Sequence, residues 1–378
     1  MKIINFQILT ISDLVLLASV SLVFLIQIYF LLSHYLKLAI HKDNPLSENS
    51  NQVTIIVPVR NEEERIREIL NNFVEQQFDD YQILVINEHS EDNTYEILNV
   101  LTETNPRLKV TSLSQEIRFS GKQAINIGLK GASSPWILLL TSFSGKINPV
   151  WLAKLNNLIA PETEAVIAYT NLEKAKGFRN LLCRLERFNQ FMISGAWTLA
   201  GKPFVFNETN ILFKKSLYFD TQGFRQKLNR NFANLELIFN ENFKKGKVRV
   251  TTNPELAVRE HIEDDRGDHL KLLKKGVQIR QSLMWSKKFS LFLDDLTRVL
   301  LPVLTTILII LHTEYWITFL TLPLIYIILQ LIVVRMLLNR LNERKIFVSS
   351  FVYILIKPFI NWWFIWSMYL IHRRSRWN

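Results

Sequence analysis

Apolar runs long enough to cross a bilayer occupy the two ends of the chain. The first covers residues 14–32, and two or three more lie within 296–312, 317–334 and 346–371. A membrane-spanning helix needs about 20 apolar residues, and no small-residue cleavage site follows the first run, so we expect a retained anchor. The last run contains Lys357-Pro358, which predicts an interruption, with Lys357 facing protein rather than lipid.

The middle of the chain alternates between strand and helix patterns. Buried-strand runs alternate with segments of helical spacing, in the order 53–57 (strand), 62–74 (helix), 83–86 (strand), 92–101 (helix), 122–129 (helix) and 136–140 (strand). This alternation predicts an α/β sheet with parallel strands. Such sheets bind nucleotides in the loops at the carboxyl ends of their strands.

The two patterns divide the chain into three parts. We predict a membrane anchor over 1–40, a domain over 41–290 and a membrane region with two or three spans over 291–378. Lysines flank the domain on both sides, whereas the connector 312–316 has no lysine or arginine. By the positive-inside rule the domain is cytoplasmic in a multi-pass protein of the inner membrane. The basic tail 373–376 favours a re-entrant or interfacial last segment.

The composition indicates which binding partners to expect and whether the protein's compartment is reducing. The 45 lysines and arginines exceed the 34 acidic residues and give a net charge of +11. The basic residues cluster beside the membrane segments, where anionic lipid attracts them, so we expect membrane lipid and no nucleic acid as a partner. Cys183 is the sole cysteine, which excludes an intrachain disulfide and a cysteine-based metal site and fits a reducing compartment.

Three motifs carry a resemblance to a known family. The domain opens with Val-Thr-Ile-Ile-Val-Pro-Val-Arg-Asn-Glu-Glu at 53–63, followed by Gly-Lys-Gln-Ala-Ile-Asn-Ile-Gly at 121–128. A third segment, 207–215, precedes Gly223-Phe224. Together they resemble the family-2 glycosyltransferases, in particular bacterial membrane-integrated ones. The resemblance implies an A-type glycosyltransferase fold, a Rossmann-like mixed sheet with flanking transmembrane helices. It also implies sugar transfer from a nucleotide-sugar to a lipid or polysaccharide acceptor.

The resemblance implies a nucleotide-sugar site that keeps most of its binding residues. The matching positions are Pro58, Arg60, Glu62, Asn87, Lys122 and Asn126. Asn87 stands where the family has the first of two aspartates, and its amide can still bond a base edge. Lys122 carries a charge that suits a phosphate. The alternative for these positions is an ordinary surface loop.

The acids that would perform the chemistry are replaced. The metal-binding Asp-x-Asp of the family corresponds here to Ser142 and Ser144. Magnesium prefers carboxylate oxygen, so two hydroxyls are poor ligands, and an active enzyme of the ordinary kind would need Mg²⁺ or Mn²⁺. The general-base position is occupied by Asn234, whose amide cannot accept a proton at neutral pH. Glu236 is the nearest acid, either a relocated base or an ordinary solvent-facing helix residue.

Other segments leave their roles open. The family's interfacial motif survives as Gln281 and Trp285, with Met284 in place of its arginine. Trp285 also fits a membrane-interface anchor. The loop 261–269 is dense in acids and histidines, and a solvated charged loop competes there with a metal site. The helix predicted over 178–192 either lies on the membrane facing a lipid acceptor or packs against the domain core.

These losses predict that ordinary metal-dependent catalysis is gone while the fold is retained. The alternative is an active enzyme whose catalytic acid is Glu236 or lies in the 261–269 loop. The alternative function is a non-catalytic scaffold or regulatory partner of an active membrane glycosyltransferase, which would form a stable complex with that enzyme.

Overall fold

The computed structural model describes residues 10–45, 51–113, 115, 120–141, 143–144, 146–260 and 268–374. They form two compact units. One lies within Met1–Ile40 and Leu283–Asn378, and the other within His41–Ser282. The sequence divides the chain at residues 40 and 290, and the compact units divide it at 40 and 282. The three-part domain organisation stays a prediction.

The helices of the described residues differ greatly in length. In chain order they are α1 (Ile11–Phe30), α2 (Lys37–Ile40), α3 (Ile66–Val74), α4 (Thr94–Thr104), α5 (Ser120–Gly131), α6 (Trp151–Asn156), α7 (Phe178–Leu199), α8 (Ser216–Phe219), α9 (Leu235–Asn242), α10 (Asp268–Ser282), α11 (Trp285–Leu311), α12 (Trp316–Arg340) and α13 (Phe347–Arg374). A π-helical turn, Leu31–Leu36, joins the first two.

The strands all belong to the His41–Ser282 unit. They are β1 (Val53–Val59), β2 (Tyr81–Asn87), β3 (Leu108–Ser112), β4 (Trp136–Leu139), β5 (Phe143–Ser144), β6 (Ala165–Ile167), β7 (Thr170–Leu172), β8 (Ile211–Lys214), β9 (Val248–Val250) and β10 (Val258–Glu260). Within the described residues, one sheet has the order β3-β2-β1-β4-β8-β6-β9 and a second has the order β5-β10-β7. β8 runs antiparallel to both of its neighbours, so the larger sheet is mixed.

β1 lies inside the larger sheet and pairs in parallel with β2 and β4. Residues 53–57 are all buried, as expected for a strand that is covered on both faces. The sequence predicts that this strand ends before Pro58, and this is wrong by two residues. β4 ends opposite Ile56, so Pro58, which has no N–H to donate, pairs only with Ile86 of β2.

The helices beside β1 follow their apolar spacing. In α3, Ile66, Ile69, Leu70 and Phe73 are buried, at the i, i+3, i+4 and i+7 spacing of a single helix face. They join the main apolar core together with β1 and β4. α5 passes so close to the sheet that Gly128 lies against Ile56. The core therefore holds the carboxyl ends of β1, β2 and β4 at one edge.

The other unit contains three described helices that are long and apolar enough to cross a membrane. They lie within Ile11–Ile40, Thr313–Arg340 and Arg344–Met368. α11 contains most of the apolar run predicted over 296–312 but is not among the three. Its middle turns carry the charged residues Asp294, Asp295 and Arg298. The break predicted at Lys357-Pro358 is wrong, because α13 runs continuously from Phe347 to Arg374. Lys357 is buried, as predicted.

A buried polar cluster joins α1 and its π-helical turn to α11. Arg298 pairs with Asp294 at 3.0 Å, and the Tyr35 hydroxyl donates to the same carboxylate at 2.7 Å. The Gln27 amide donates to the backbone carbonyl of Asp294 at 3.0 Å. A charge inside an apolar helical unit is costly unless it is paired. The cluster satisfies Asp294 and fixes the register between the two segments.

We expect Gly128→Ala to destabilise the domain, because the added Cβ would lie 2.7 Å from Cγ2 of the buried Ile56. Overpacking of this kind typically costs about 1–3 kcal/mol. The measurement is the Tm of the detergent-purified full-length protein. Gly121→Ala, on the same helix, is the control, since a Cβ there meets no atom within 4 Å. Equal Tm values for the two variants would contradict the packing described here.

Candidate active site

Two loops at the carboxyl edge of the sheet are locked together by hydrogen bonds. After β1, the backbone N–H of Asn61 donates to Ser90 Oγ at 3.0 Å, and that of Glu62 donates to Thr94 Oγ1 at 2.8 Å. In return, the N–H of Glu91 donates to Asn61 Oδ1 at 2.9 Å. The loops after β1 and β2 thus form one surface at the edge where α/β proteins bind nucleotides.

Asp92 also holds the loops after β1 and β2 together. It accepts the backbone N–H of Glu63 at 3.1 Å and that of Thr94 at 3.0 Å. Burial opposes its ionisation, but the hydrogen bonds from Thr94 and Glu63 outweigh burial and lower the pKa of Asp92. Asn61 and His89 both have positive φ angles, 53° and 56°, so each loop turns through a conformation that most side chains avoid.

The predicted nucleoside residues on these loops differ in their exposure to solvent. Arg60 is exposed, and Glu62 lies 3.5 Å from Arg65. Asn87 is only 4% exposed. Its Oδ1 accepts the Ser90 hydroxyl at 2.6 Å, and its Nδ2 donates to Ser112 at 3.3 Å. Asn87 therefore shapes the loop in this conformation, and its contact with a base stays a prediction.

Lys122 and Asn126 lie on α5 and line a cleft of about 600 Å³ beside the 218–228 segment. Asn126 accepts the Tyr218 hydroxyl at 3.0 Å. Lys122 points inward, is 4% exposed and donates to the carbonyl of Arg230 at 2.8 Å. Burial lowers the pKa of Lys122, against the opposing charges of Glu208 and Glu236. The expected phosphate contact of Lys122 would require this side chain to leave its present partner.

A carboxyl group that the sequence did not single out lies at the degenerate base position. Glu208 Oε1 accepts the side-chain amide of Asn234 at 2.9 Å, and its Oε2 accepts the backbone N–H of Leu235 at 2.7 Å. Glu208 is 4% exposed. It thereby binds the first turn of α9, where a negative charge is favoured by the helix dipole.

Glu236 lies beside this pair and is fully buried, so its interpretation as a solvent-facing helix residue is wrong. Its Oε2 accepts the backbone N–H of Asn234 at 2.9 Å. Its Oε1 lies 2.6 Å from the ammonium of Lys275 on α10. The Lys275 side chain is 28% exposed. Glu208, Asn234, Glu236 and Lys275 form what we call the carboxyl cluster.

The carboxyl cluster shifts the pKa values of Glu208 and Glu236 in opposite directions. Burial, then the charge of Glu236, raises the pKa of Glu208 to about 8. Burial also opposes ionisation of Glu236, but the charge and hydrogen bond of Lys275 outweigh it and lower the pKa of Glu236. Burial disfavours the Lys275 cation, yet the two carboxyl groups raise its pKa. Glu236 and Lys275 thus form the ion pair, and Glu208 holds the exchangeable proton.

The degenerate metal motif offers no ligands suited to a divalent cation. Ser142 lies outside the described residues, and Phe143–Ser144 form β5, which pairs antiparallel with β10. Mg²⁺ and Mn²⁺ favour carboxylate oxygen, and the motif supplies two neutral hydroxyls. Within the described part of the chain, no group of three or more His, Cys, Asp or Glu residues is placed to hold a metal ion. These residues do not fit a metal ion bound in the usual way.

The structure also bears on the other segments whose roles the sequence leaves open. Gln281 lies on α10, which ends at Ser282, and Trp285 is the first residue of α11. Trp285 is 76% exposed and stacks on Phe289. Residues 261–267 of the acid-rich loop lie outside the described residues. Of the two alternatives for the 178–192 helix, packing against the domain is observed, since residues 188–194 are buried within the His41–Ser282 unit.

The mixed sheet and the motifs at its carboxyl edge define an A-type glycosyltransferase fold, which confirms the predicted fold class. The structure of the mannosyltransferase PcManGT from Pyrobaculum calidifontis, in complex with GDP-Man and Mn²⁺, is similar in fold. Its TM-score is 0.53 at 18% sequence identity, over 90% of this chain and 97% of that chain.

The sequence comparison agrees with the predicted resemblance. Residues 54–193 match the Glycosyl transferase family 2 model. The poly-beta-1,6-N-acetyl-D-glucosamine synthase of Staphylococcus aureus (strain COL) is 26% identical over 201 residues. The match covers 51% of this chain and 47% of the relative. The chain therefore matches about half the length of that curated relative.

We expect Lys275→Met to destabilise the protein, because it leaves the fully buried Glu236 without its 2.6 Å partner. Breaking a buried ion pair from one side costs about 3 kcal/mol or more. For a domain of this size that lowers the Tm by about 2–4 °C per kcal/mol. Lys271→Met is the control on the same helix, since the Lys271 side chain is 67% exposed and 3.8 Å from Asp268. Similar Tm values for the two variants would contradict the cluster's structural role.

The raised pKa of Glu208 predicts a pH-dependent stability. The folded state holds this proton more tightly than the unfolded state, so the contribution is complete below pH 4.5 and is lost as pH rises to about 8. A single group of this kind gives a slope of at most about 1.4 kcal/mol per pH unit. Glu208→Gln should flatten this part of the stability curve in chemical denaturation. A wild-type curve with the same slope as the variant would contradict the assignment.

Proposed function

We propose that the chain is a membrane-integrated family-2 glycosyltransferase that binds a nucleotide-sugar without the usual carboxylate-bound metal and transfers the sugar to a saccharide or lipid acceptor. The observation that carries the proposal is the locked surface of the loops after β1 and β2. Its hydrogen bonds preorganise residues 60–63 and 87–94 at the carboxyl edge of a sheet, the usual place for a nucleotide in this class of fold.

The acceptor class follows from the membrane helices and the relative. Three described helices are suited to cross a bilayer, and the S. aureus relative is named as a synthase of an N-acetylglucosamine polymer. A growing polysaccharide or a lipid-linked saccharide is therefore the acceptor we favour. We place the domain on the cytoplasmic side of a multi-pass inner-membrane protein, in keeping with the positive charges that flank it.

The donor is a sugar activated by a nucleoside diphosphate. PcManGT is described in complex with GDP-Man, and UDP is the alternative nucleotide to test. Arg60 is exposed on the loop after β1 and is the candidate contact for the nucleotide. Arginine keeps its charge at every physiological pH and presents several donors to phosphate or base oxygens.

A scaffold without catalysis is the second candidate, and two observations favour it. Asn87 and Lys122, both expected to bind the donor, are buried and occupied by protein partners. A protein selected only for its fold would retain these internal hydrogen bonds and bind another membrane glycosyltransferase. This candidate predicts no affinity for either nucleotide and a stable complex with such an enzyme.

The test is calorimetric titration of UDP and of GDP into the detergent-purified full-length protein, with and without Mg²⁺ or Mn²⁺. We expect one of them to bind with a Kd that the metal leaves unchanged, because the motif at 142–144 lacks carboxylates. Arg60→Ala should weaken binding about tenfold, which corresponds to about 1.4 kcal/mol.

Arg67→Ala is the matched control, since Arg67 is exposed on α3 outside the locked loops. It should leave the Kd unchanged. Binding that appears only with a divalent cation would overturn the metal-free part of the proposal. Absence of binding by both nucleotides would favour the scaffold.

A further inference from the structure

The carboxyl cluster places a carboxyl group at the predicted base position, where the sequence itself has asparagine. Asn234 has no acidic oxygen of its own, but its side-chain amide is bound to Glu208 at 2.9 Å. The chain has thus lost the acid from the start of α9 and carries one from the segment before β8, directly in contact with the same position. Glu236, the closest acid along the sequence, is already committed to Lys275 at 2.6 Å.

The segment that carries Glu208 also reaches the end of β4, where the degenerate metal motif begins. The next residue, Thr209, shares a hydrogen bond of 2.6 Å with Thr141, the residue before Ser142. The backbone N–H of Asn210 donates to the Leu139 carbonyl at 3.1 Å. Glu208 therefore contacts the predicted base position, and the residue after it contacts the residue before the predicted metal motif.

The carboxylate of Glu208 can accept further hydrogen bonds besides the two that it has. Its two present bonds come from Asn234 and Leu235, one to each oxygen. A carboxylate has about four lone-pair positions, so each oxygen retains one for a substrate hydroxyl. A general base works best when its pKa lies near the operating pH, and that of Glu208 is raised to about 8 by burial and by Glu236.

We propose that Glu208, oriented by Asn234, is the general base of this domain. The inference rests on the proposed function, since it needs a nucleotide-sugar bound at the carboxyl edge. Lys275 and Glu236 act as positioning residues: their ion pair keeps Glu236 ionised and leaves the exchangeable proton to Glu208.

The step is a single displacement without change of oxidation state. An oxygen of the acceptor hydroxyl attacks the anomeric carbon and forms the new glycosidic bond. The bond from that carbon to the phosphate oxygen breaks, and its electron pair leaves with the nucleoside diphosphate. The hydroxyl proton passes to the Glu208 carboxylate and from there to solvent when the product departs.

The test exchanges the carboxylate and the amide between the two positions. The rate of UDP release from UDP-N-acetylglucosamine, and of GDP release from GDP-mannose, is measured for the full-length protein with a solubilised membrane fraction as acceptor source. We expect Glu208→Gln to lower the rate about 10²–10⁴-fold, the usual cost of losing a general base. UDP or GDP affinity should stay unchanged. The double variant Glu208→Gln/Asn234→Asp should recover at least tenfold of that loss.

The pH profile separates a base from a helix-capping carboxylate. The wild-type rate should rise with pH up to about 8, following ionisation of Glu208, and Glu208→Asp should keep this dependence at a reduced rate. Glu241→Gln is the control on α9, because its carboxylate is 44% exposed and pairs with Lys227. It should retain both the rate and the profile. Glu208→Asp also serves if Glu208→Gln does not fold.

Three results would overturn the inference. One is a folded Glu208→Gln variant with the wild-type rate. Another is a double variant no faster than the single one. The third is a wild-type protein that binds a nucleotide but releases none from either donor, which leaves the proposed binding site standing. Absence of nucleotide binding by the wild type would overturn the proposed function itself, and the role of Glu208 with it.

Discussion

The charge of one lysine ammonium acts on two buried carboxyl groups at the centre of the domain. Lys275 extends from α10, Glu236 lies in the first turn of α9, and Glu208 precedes β8, so the charge connects three separate segments. Two buried carboxylates beside one ammonium cannot all be ionised at low cost. The ion pair therefore goes to Glu236, and the remaining acid keeps a proton near neutral pH.

The sheet explains why this cluster lies at the same edge as the loops after β1 and β2. β1 and β4 are held in register by residues 53–56 and 136–139, and β8 returns antiparallel to β4 along its full length. The start of β8 must then lie at the carboxyl end of β4. Glu208 and Thr209 therefore lie at the edge that also carries the loops after β1 and β2. About 120 residues separate them from Asn87 in the chain.

The sequence predicts the regular part of this arrangement and misses the part that depends on tertiary contacts. The apolar runs at 53–57 and 136–140 and the helical spacing of Ile66, Ile69 and Phe73 are local, and the structure matches them closely. β3, β6 and β7 are only three to five residues long and carry too little periodicity to be recognised. The inward position of Lys275 was recoverable, since Leu272 and Ile279 place it near an apolar helix face. Nothing local distinguishes Glu208 from a surface acid, because its role depends on Asn234, 26 positions away.

The energetics of the cluster bear on whether the domain is only a scaffold. A buried ion pair is often no more stable than apolar residues of the same size, and an extra buried carboxyl group adds a desolvation cost. Selection for the fold alone gives no reason to maintain Glu208, Glu236 and Lys275 together, because leucine and methionine would serve there at lower cost. Sites that force two acids to opposite protonation states are instead typical of proton transfer. The two predicted losses of charge therefore differ: the predicted metal motif has serines at 142 and 144, whereas Asn234, at the predicted base position, has a carboxyl group within hydrogen-bonding distance.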